Sequence, residues 1–231
     1  RIKLPAACNW EHKLRFDGDS FQRSSSNLGM SQMSESSNFP PLNEFEHRQR
    51  PEQAVILAGG RGSRLRPLTD TRPKPMVEVL GKPFLAYQIE QLRDQGFNKI
   101  LLLLGYLPEV VQDYFGDGSR FGVKLEYSIS AVEDETARRL KIADALIDPW
   151  FLLLYCDNYW PMQIKSMWPR FVALGAPAMI TVYTNKDGYT RNSVRVDSDG
   201  YVAVYDKSGA SPGLQGVEIS YSFIDKSVLN M

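Results

Sequence analysis

The chain is poor in the residues from which many active sites are made. It has two cysteines, Cys8 and Cys156, far apart in 231 residues. Two distant thiols make no disulfide framework, which fits a reducing cytoplasm, the compartment expected here. Cys156 ends an apolar run and reads as a buried free thiol. The only histidines, His12 and His47, both precede the first strong strand signal. Neither a histidine zinc site nor a Ser-His-Asp triad is therefore expected in the main domain. Charge of one sign is also lacking: 27 basic and 27 acidic side chains cancel. The basic footprint of a nucleic-acid-binding protein is missing. No stretch of eighteen apolar residues exists, so no membrane-spanning helix is expected, and no signal peptide is visible.

What is present is the composition of an ordinary soluble globular protein, 43% hydrophobic and 23% charged. The length allows one large α/β domain or two small ones. Residues 1–50 stand apart. Ser24, Ser25, Ser26, Ser31, Ser34, Ser36 and Ser37 crowd one stretch, and Pro40-Pro41 follows. Such composition cannot bury enough apolar surface to offset chain entropy. It reads as a flexible extension or linker, or as the tail of an upstream domain. Trp10, Leu14 and Phe16 suit such a tail, and equally suit docking on the main domain. The chain starts at Arg1 and stops within an element at Met231, as a piece of a longer polypeptide would.

From residue 51 onward, apolar strands alternate with helices. Strands are predicted over 54–58, 99–104, 123–129, 150–155 and 178–184. Helices are predicted from Pro83 to Gly96, with Leu85, Ile89 and Leu92 on one face, and over 108–115, 136–147 and 162–174. Fully apolar strands separated by helices indicate a mostly parallel sheet covered on both faces. After residue 184 the pattern alternates. Residues 192–196 and 201–206 flank Asp197-Ser198-Asp199-Gly200, a hairpin signal, and 217–224 reads as one further strand. The expected fold is α/β: a Rossmann-like, mostly parallel open sheet flanked by helices, with a late β-hairpin insertion.

The richest segment follows the first of these strands. Leu57-Ala58 runs into Gly59-Gly60-Arg61-Gly62-Ser63-Arg64-Leu65-Arg66-Pro67-Leu68-Thr69. Pro73-Lys74-Pro75 and Gly81-Lys82-Pro83 come next. Glycines free backbone N–H groups, and arginine and lysine add fixed positive charge, as a polyphosphate requires. Two familiar phosphate loops are excluded. No Gly-Lys-Ser/Thr follows at Walker spacing. A dinucleotide fingerprint fails because Leu65 stands where its third glycine belongs.

This segment resembles the signature of the sugar-1-phosphate nucleotidylyltransferases over about thirty residues. That signature runs Leu-Ala-Gly-Gly-x-Gly-x-Arg-Leu-x-Pro-Leu-Thr, then Pro-Lys-Pro, then Gly-x-Pro. The resemblance implies that residues 51–231 form a nucleotidyltransferase domain with a Rossmann-like fold. It also implies the reaction: a sugar-1-phosphate attacks the α-phosphorus of a nucleoside triphosphate, giving a nucleotide-sugar and pyrophosphate. Positioning and electrostatics do most of the work in such transfers.

Leu57, Ala58, Gly59, Gly60 and Gly62 are expected at the nucleotide. Arg64 has the planar fork that suits the β- and γ-phosphates. Arg61 and Arg66 are weaker candidates. Lys74, stiffened by flanking prolines, is placed by the resemblance on the phosphates at the reacting centre. Asp157 follows the strand over 150–155, where open α/β sheets bind ligands. The resemblance makes it a ligand of Mg²⁺, although Cys156 replaces the usual glycine before it. Thr136 falls where the family contacts the base and sugar side, with Arg138 and Arg139 where small residues are common. Those two arginines read equally well as a solvated helix face. Asp206 and Lys207 resemble a Glu-Lys pair that engages the sugar phosphate, and Glu218 a contact to sugar hydroxyls. A second metal-binding aspartate of the family has no counterpart here, since Asp225 lies too early. Arg64, Lys74 and Asp157 are thus the expected catalytic residues, with a nucleoside triphosphate and a sugar-1-phosphate as partners and homo-oligomerisation left open. Two other readings stand beside this one: a non-catalytic regulatory relative that binds nucleotide-sugars, and transfer to a non-sugar phosphate such as phosphocholine.

Overall fold

The computed structural model describes residues 49–230 together with the strand backbone of Leu4–Ala7. Twelve strands are defined: β1 Leu4–Ala7, β2 Gln53–Ala58, β3 Glu78–Val79, β4 Lys82–Pro83, β5 Lys99–Leu104, β6 Lys124–Ile129, β7 Trp150–Tyr155, β8 Ala178–Tyr183, β9 Val194–Val196, β10 Tyr201–Tyr205, β11 Val217–Glu218 and β12 Ser222–Asp225. The α-helices are α1 Phe84–Asp94, α2 Pro108–Phe115, α3 Thr136–Ile142 and α4 Ile164–Leu174. Among the described residues, no helix is long and apolar enough to cross a membrane.

Ten strands form one sheet, ordered β6-β5-β2-β7-β12-β8-β1-β10-β9, with β11 paired to β8. β6, β5, β2 and β7 run parallel to one another. β12 is antiparallel to both β7 and β8, so β8 shares the direction of the parallel set. The mostly parallel open sheet read from the sequence is therefore present.

Period-two geometry explains why these strands are apolar throughout. Ala54, Ile56 and Ala58 of β2 and Ile100, Leu102 and Leu104 of β5 face one side. There they meet Leu85, Ile89 and Leu92 of α1, Phe115 of α2 and Phe171 of α4. Val55, Leu57, Leu101 and Leu103 face the other side, against Leu140 and Ala143 at α3 and Ile147 beyond it. Neither face of the sheet's centre meets water, so no polar alternation is needed.

Several expectations need correcting. The helix read over 136–147 stops at Ile142, and a 3₁₀ turn, Asp144–Leu146, completes the connection. The strand read over 217–224 is two strands. Ser220 adopts φ 82° between them, so β11 pairs with β8 while β12 inserts between β7 and β8. The hairpin is β9 with β10, at the sheet edge. The two-stranded β3–β4 ribbon was not foreseen. Leu4–Ala7 lies between β8 and β10, inside the stretch read as an extension; the remainder of that reading, to residue 48, lies outside the described residues.

Chain order sets where a ligand can sit. From β2 the chain steps outward to β5 and β6, then returns to β7 on the opposite side of β2. Strand order reverses between β2 and β7, and a crevice opens beyond their carboxyl ends.

The aromatic cluster around β12 tests the packing. Phe223 is 1% exposed, with its ring 5.4 Å from Trp168 and 5.5 Å from Phe171. Phe223→Ala should lower stability by about 3–5 kcal/mol in urea titration.

Candidate active site

β2 ends at Ala58 and hands the chain to the glycine loop, and β7 ends at Tyr155 and hands it to Cys156 and Asp157. The two strands are paired, with Leu57 opposite Tyr155, so loop and aspartate emerge side by side. A cavity of about 1000 Å³ opens there. Leu57, Gly59, Gly60, Gly62, Arg64, Lys74, Thr136, Tyr155, Asp157 and Lys207 line it. Nine of the residues expected from the sequence thus meet at one place. Ala58 stays in the strand, 1% exposed.

The loop's shape depends on two glycines. Gly62 has φ 65°, and a Cβ there would lie 2.8 Å from Lys74 Cβ. Its carbonyl accepts a 3.0 Å hydrogen bond from Thr69 Oγ1, which folds the loop back on itself. A Cβ on Gly59 would come within 2.2 Å of the Arg139 guanidinium.

The charges fall into three groups. Lys74 Nζ lies 2.5 Å from Asp157 Oδ2. Arg64 is exposed and has no hydrogen-bond or ion-pair partner among the described residues, so its whole fork is open to an anion. Lys207 Nζ lies 5.9 Å from the ring centroids of both Tyr155 and Tyr205. Arg61 is turned elsewhere, over the Tyr106 ring and 3.5 Å from Glu133. Arg66 pairs with Asp70 at 3.3 Å.

Glu218 does not line the cavity, though it feels the charge of Lys207, which does. Its Oε1 accepts from Ser220 N–H, and Tyr205 Oη donates to its Oε2 at 3.5 Å. Burial pushes this carboxyl above the usual glutamate range, against the opposing pull of the Ser220 N–H and Lys207. Asp206 turns away. It accepts hydrogen bonds from Ser208 N, Ala210 N and Ser211 N and from both serine hydroxyls, capping its own turn. Those bonds hold its carboxyl far below the usual range. The Cys156 thiol is 8% exposed, and burial, helped by Asp157, pushes it up to about 12. It is no nucleophile at neutral pH.

Two residues that shape the site escaped the sequence reading. Arg139, read equally as a solvated arginine, is 5% exposed. Its Nε donates to Asp134 O, one terminal nitrogen to Leu104 O and Ser130 Oγ, and the other to Ala131 O and Val132 O. Gly59 O lies 3.4 Å from that second nitrogen. No carboxylate of the described residues lies within ion-pair distance of it. Gln88 is fully buried on α1, and its Nε2 donates to Tyr155 O at 2.9 Å and Asn158 O at 2.7 Å, bracketing Asp157. A glutamine placed among Leu85, Ile89 and Leu92 on one helix face was the available signal.

Asp157 is the one expected metal ligand in the cavity. Among the described residues, no cluster of three or more histidine, cysteine, aspartate or glutamate side chains is arranged to hold a metal. That donor set suits Mg²⁺, which characteristically binds one or two carboxylates and takes its remaining oxygens from phosphates and water.

Comparison with known proteins identifies the family and the fold. The family model described as nucleotidyl transferase matches residues 53–202. A UTP–glucose-1-phosphate uridylyltransferase, AglF, of Haloferax volcanii is 42% identical over 118 residues, covering 51% of this chain and 48% of that one. A mannose-1-phosphate guanyltransferase of Gibberella zeae is 38% identical over 113 residues, 46% of this chain and 31% of that one. The chain thus spans less than half the length of these curated relatives. Among solved structures, HddC from Yersinia pseudotuberculosis superposes with a TM-score of 0.62 at 26% identity, covering 77% of this chain and 78% of that one. A UDP-glucose pyrophosphorylase complexed with UDP-glucose shares the fold, with a TM-score of 0.64 at 16% identity and 77% of each chain covered.

Replacing Arg139 tests its place in the frame. Arg139→Met should cost about 1–3 kcal/mol for each carbonyl left dry, read by chemical denaturation. Arg139→Lys should recover only part of it, because an ammonium cannot reproduce the planar fork.

Proposed function

The chain belongs to the nucleotidyl transferase family, and from that premise we propose that it makes a nucleotide-sugar from a nucleoside triphosphate and a sugar-1-phosphate. The acceptor phosphate oxygen attacks the α-phosphorus. The bond from that phosphorus to the α–β bridging oxygen breaks, and the electron pair leaves with pyrophosphate. One observation carries the reading: an unpartnered Arg64, a Lys74–Asp157 pair and Lys207 surround a single cavity at the strand-order reversal.

Each residue then has a task set by its position. Arg64 takes the β- and γ-phosphates as a bidentate fork and carries the charge that develops on the leaving group. Lys74 neutralises the α-phosphate, and Asp157 keeps its ammonium at the reacting centre. Lys207 draws in the acceptor phosphate, so that two anions approach across a bridge of cations. Glu218, as a carboxylate, accepts hydrogen bonds from sugar hydroxyls. Asp157, with phosphate oxygens, would hold Mg²⁺, which supplies further neutralisation of the triphosphate when bound. The frame keeps these groups from relaxing, which is the main contribution a protein makes to such a transfer.

The direct test measures pyrophosphate release across four triphosphates and a panel of sugar-1-phosphates with Mg²⁺. Release with a matched pair is expected, and release from no pair would overturn the reading. Arg64→Ala and Lys74→Ala should each lower kcat/KM by about 10²–10⁴-fold. A second measurement uses pH. Because Glu218 is raised, its carboxylate is lost on acidification at a higher pH than an ordinary glutamate's. KM for the sugar phosphate should therefore climb early on the acid side, and Glu218→Gln should flatten that limb. The sign for stability is opposite: a raised carboxyl favours folding while protonated and opposes it once pH rises through the folded value. The glutamine variant should hence melt no lower than the parent at pH 8.

A further inference from the structure

Ser220 is the only residue between β11 and β12 in the left-handed region, with φ 82°. Serine has no special tolerance for that conformation, so its surroundings must impose it. It is 2% exposed and bonded on two sides. Its Oγ accepts from Tyr155 N–H at 2.5 Å, and its own N–H donates to Glu218 Oε1. The β12–β7 ladder stops at Ser222 opposite Leu153. Two residues further along, the hydroxyl takes the N–H that a continued ladder would have given to a main-chain carbonyl.

The next residue extends the tie. Tyr221 is fully buried, its hydroxyl accepts from Trp160 N–H at 3.1 Å, and it lies 3.1 Å from Gln91 Oε1. The 155–160 segment is thus held at one end by Ser220 and at the other by Tyr221, with Asp157 between. Glu218 is held by the same kink. The carboxylate expected at the sugar is thus joined through one residue to the strand end that carries Asp157.

We propose that Ser220 is a positioning residue of the acceptor site, whose left-handed backbone and hydroxyl together set Glu218 relative to Asp157. This rests on the nucleotide-sugar reading above. Its substrate consequence is graded: Ser220 bonds Glu218 directly and reaches Asp157 only through Tyr155 N–H, and it touches neither Arg64 nor the glycine loop, so the sugar phosphate loses more than the triphosphate when Ser220 is changed.

The test compares Ser220→Gly and Ser220→Ala with the parent protein. Glycine relieves the backbone and deletes the hydroxyl, while alanine keeps the strain and deletes the hydroxyl. In both, KM for the sugar phosphate should rise about tenfold, the scale of one lost hydrogen bond to a positioned group, and KM for the triphosphate should rise by clearly less. The melting temperature should separate them, with the glycine variant at or above the parent and the alanine variant below it. A residue with only a structural role would shift melting and leave the acceptor KM alone. An active parent with unchanged acceptor KM in the glycine variant overturns the proposal by itself. A parent that releases no pyrophosphate overturns the functional reading and this proposal together.

Discussion

One guanidinium holds the mouth of this domain in shape. Arg139 gathers oxygens from the end of β5, from the turn after β6 and from Asp134 two residues before α3, and its guanidinium packs against Gly59 just past the end of β2. Carbonyls of Leu104, Ala131, Val132 and Asp134 converge on it from separate segments. A planar donor with five N–H groups is the side chain best shaped to collect them. A Cβ at Gly59 or at Gly105 would collide with that guanidinium. The glycines therefore answer to the arginine as much as to any ligand.

The same side chain adds a charge. A buried cation satisfied by neutral oxygens keeps its positive field, because no carboxylate of the described residues neutralises it. Together with Arg64, Lys74 and Lys207 it gives the cavity a positive cast inside a chain of zero net charge. Asp134, Glu135 and Asp157 line the same cavity, but its four cations outnumber them, and a locally positive pocket in a balanced protein concentrates anions without making the whole surface sticky.

Much of this was legible in the sequence, for identifiable reasons. The parallel sheet announced itself because strands buried on both faces must be apolar at every position, as Ile100 to Leu104 are. The phosphate loop was readable because glycines and cations at fixed spacing leave few other uses. What stayed hidden depended on contacts remote in sequence. Arg139 looks like any helix-surface arginine until the carbonyls of Leu104 and Val132 are placed beside it. Gln88 looks like a polar residue at a helix edge until Tyr155 O and Asn158 O appear above it. Asp206 failed in the opposite direction. Its neighbour Lys207 reaches the cavity, but a carboxylate beside Ser208 and Ser211 finds backbone N–H groups close by and stays with them. The break at Ser220 escaped because a serine carries none of the turn chemistry of glycine or asparagine.

β12 has a consequence for how the molecule is assembled. Its four residues come near the end of the described chain, yet they fill the gap between β7 and β8 in the middle of the sheet. Until residues 222–225 arrive, β7 and β8 each present an open edge, and the two flanks of the sheet have no seam. Synthesis therefore delivers the glycine loop, Lys74 and Asp157 as one early unit and Lys207 and Glu218 as a later one, joined by β12. Such a long-range closure is slow to form, and it makes an emerging chain most exposed to mispairing until residues 222–225 are in place.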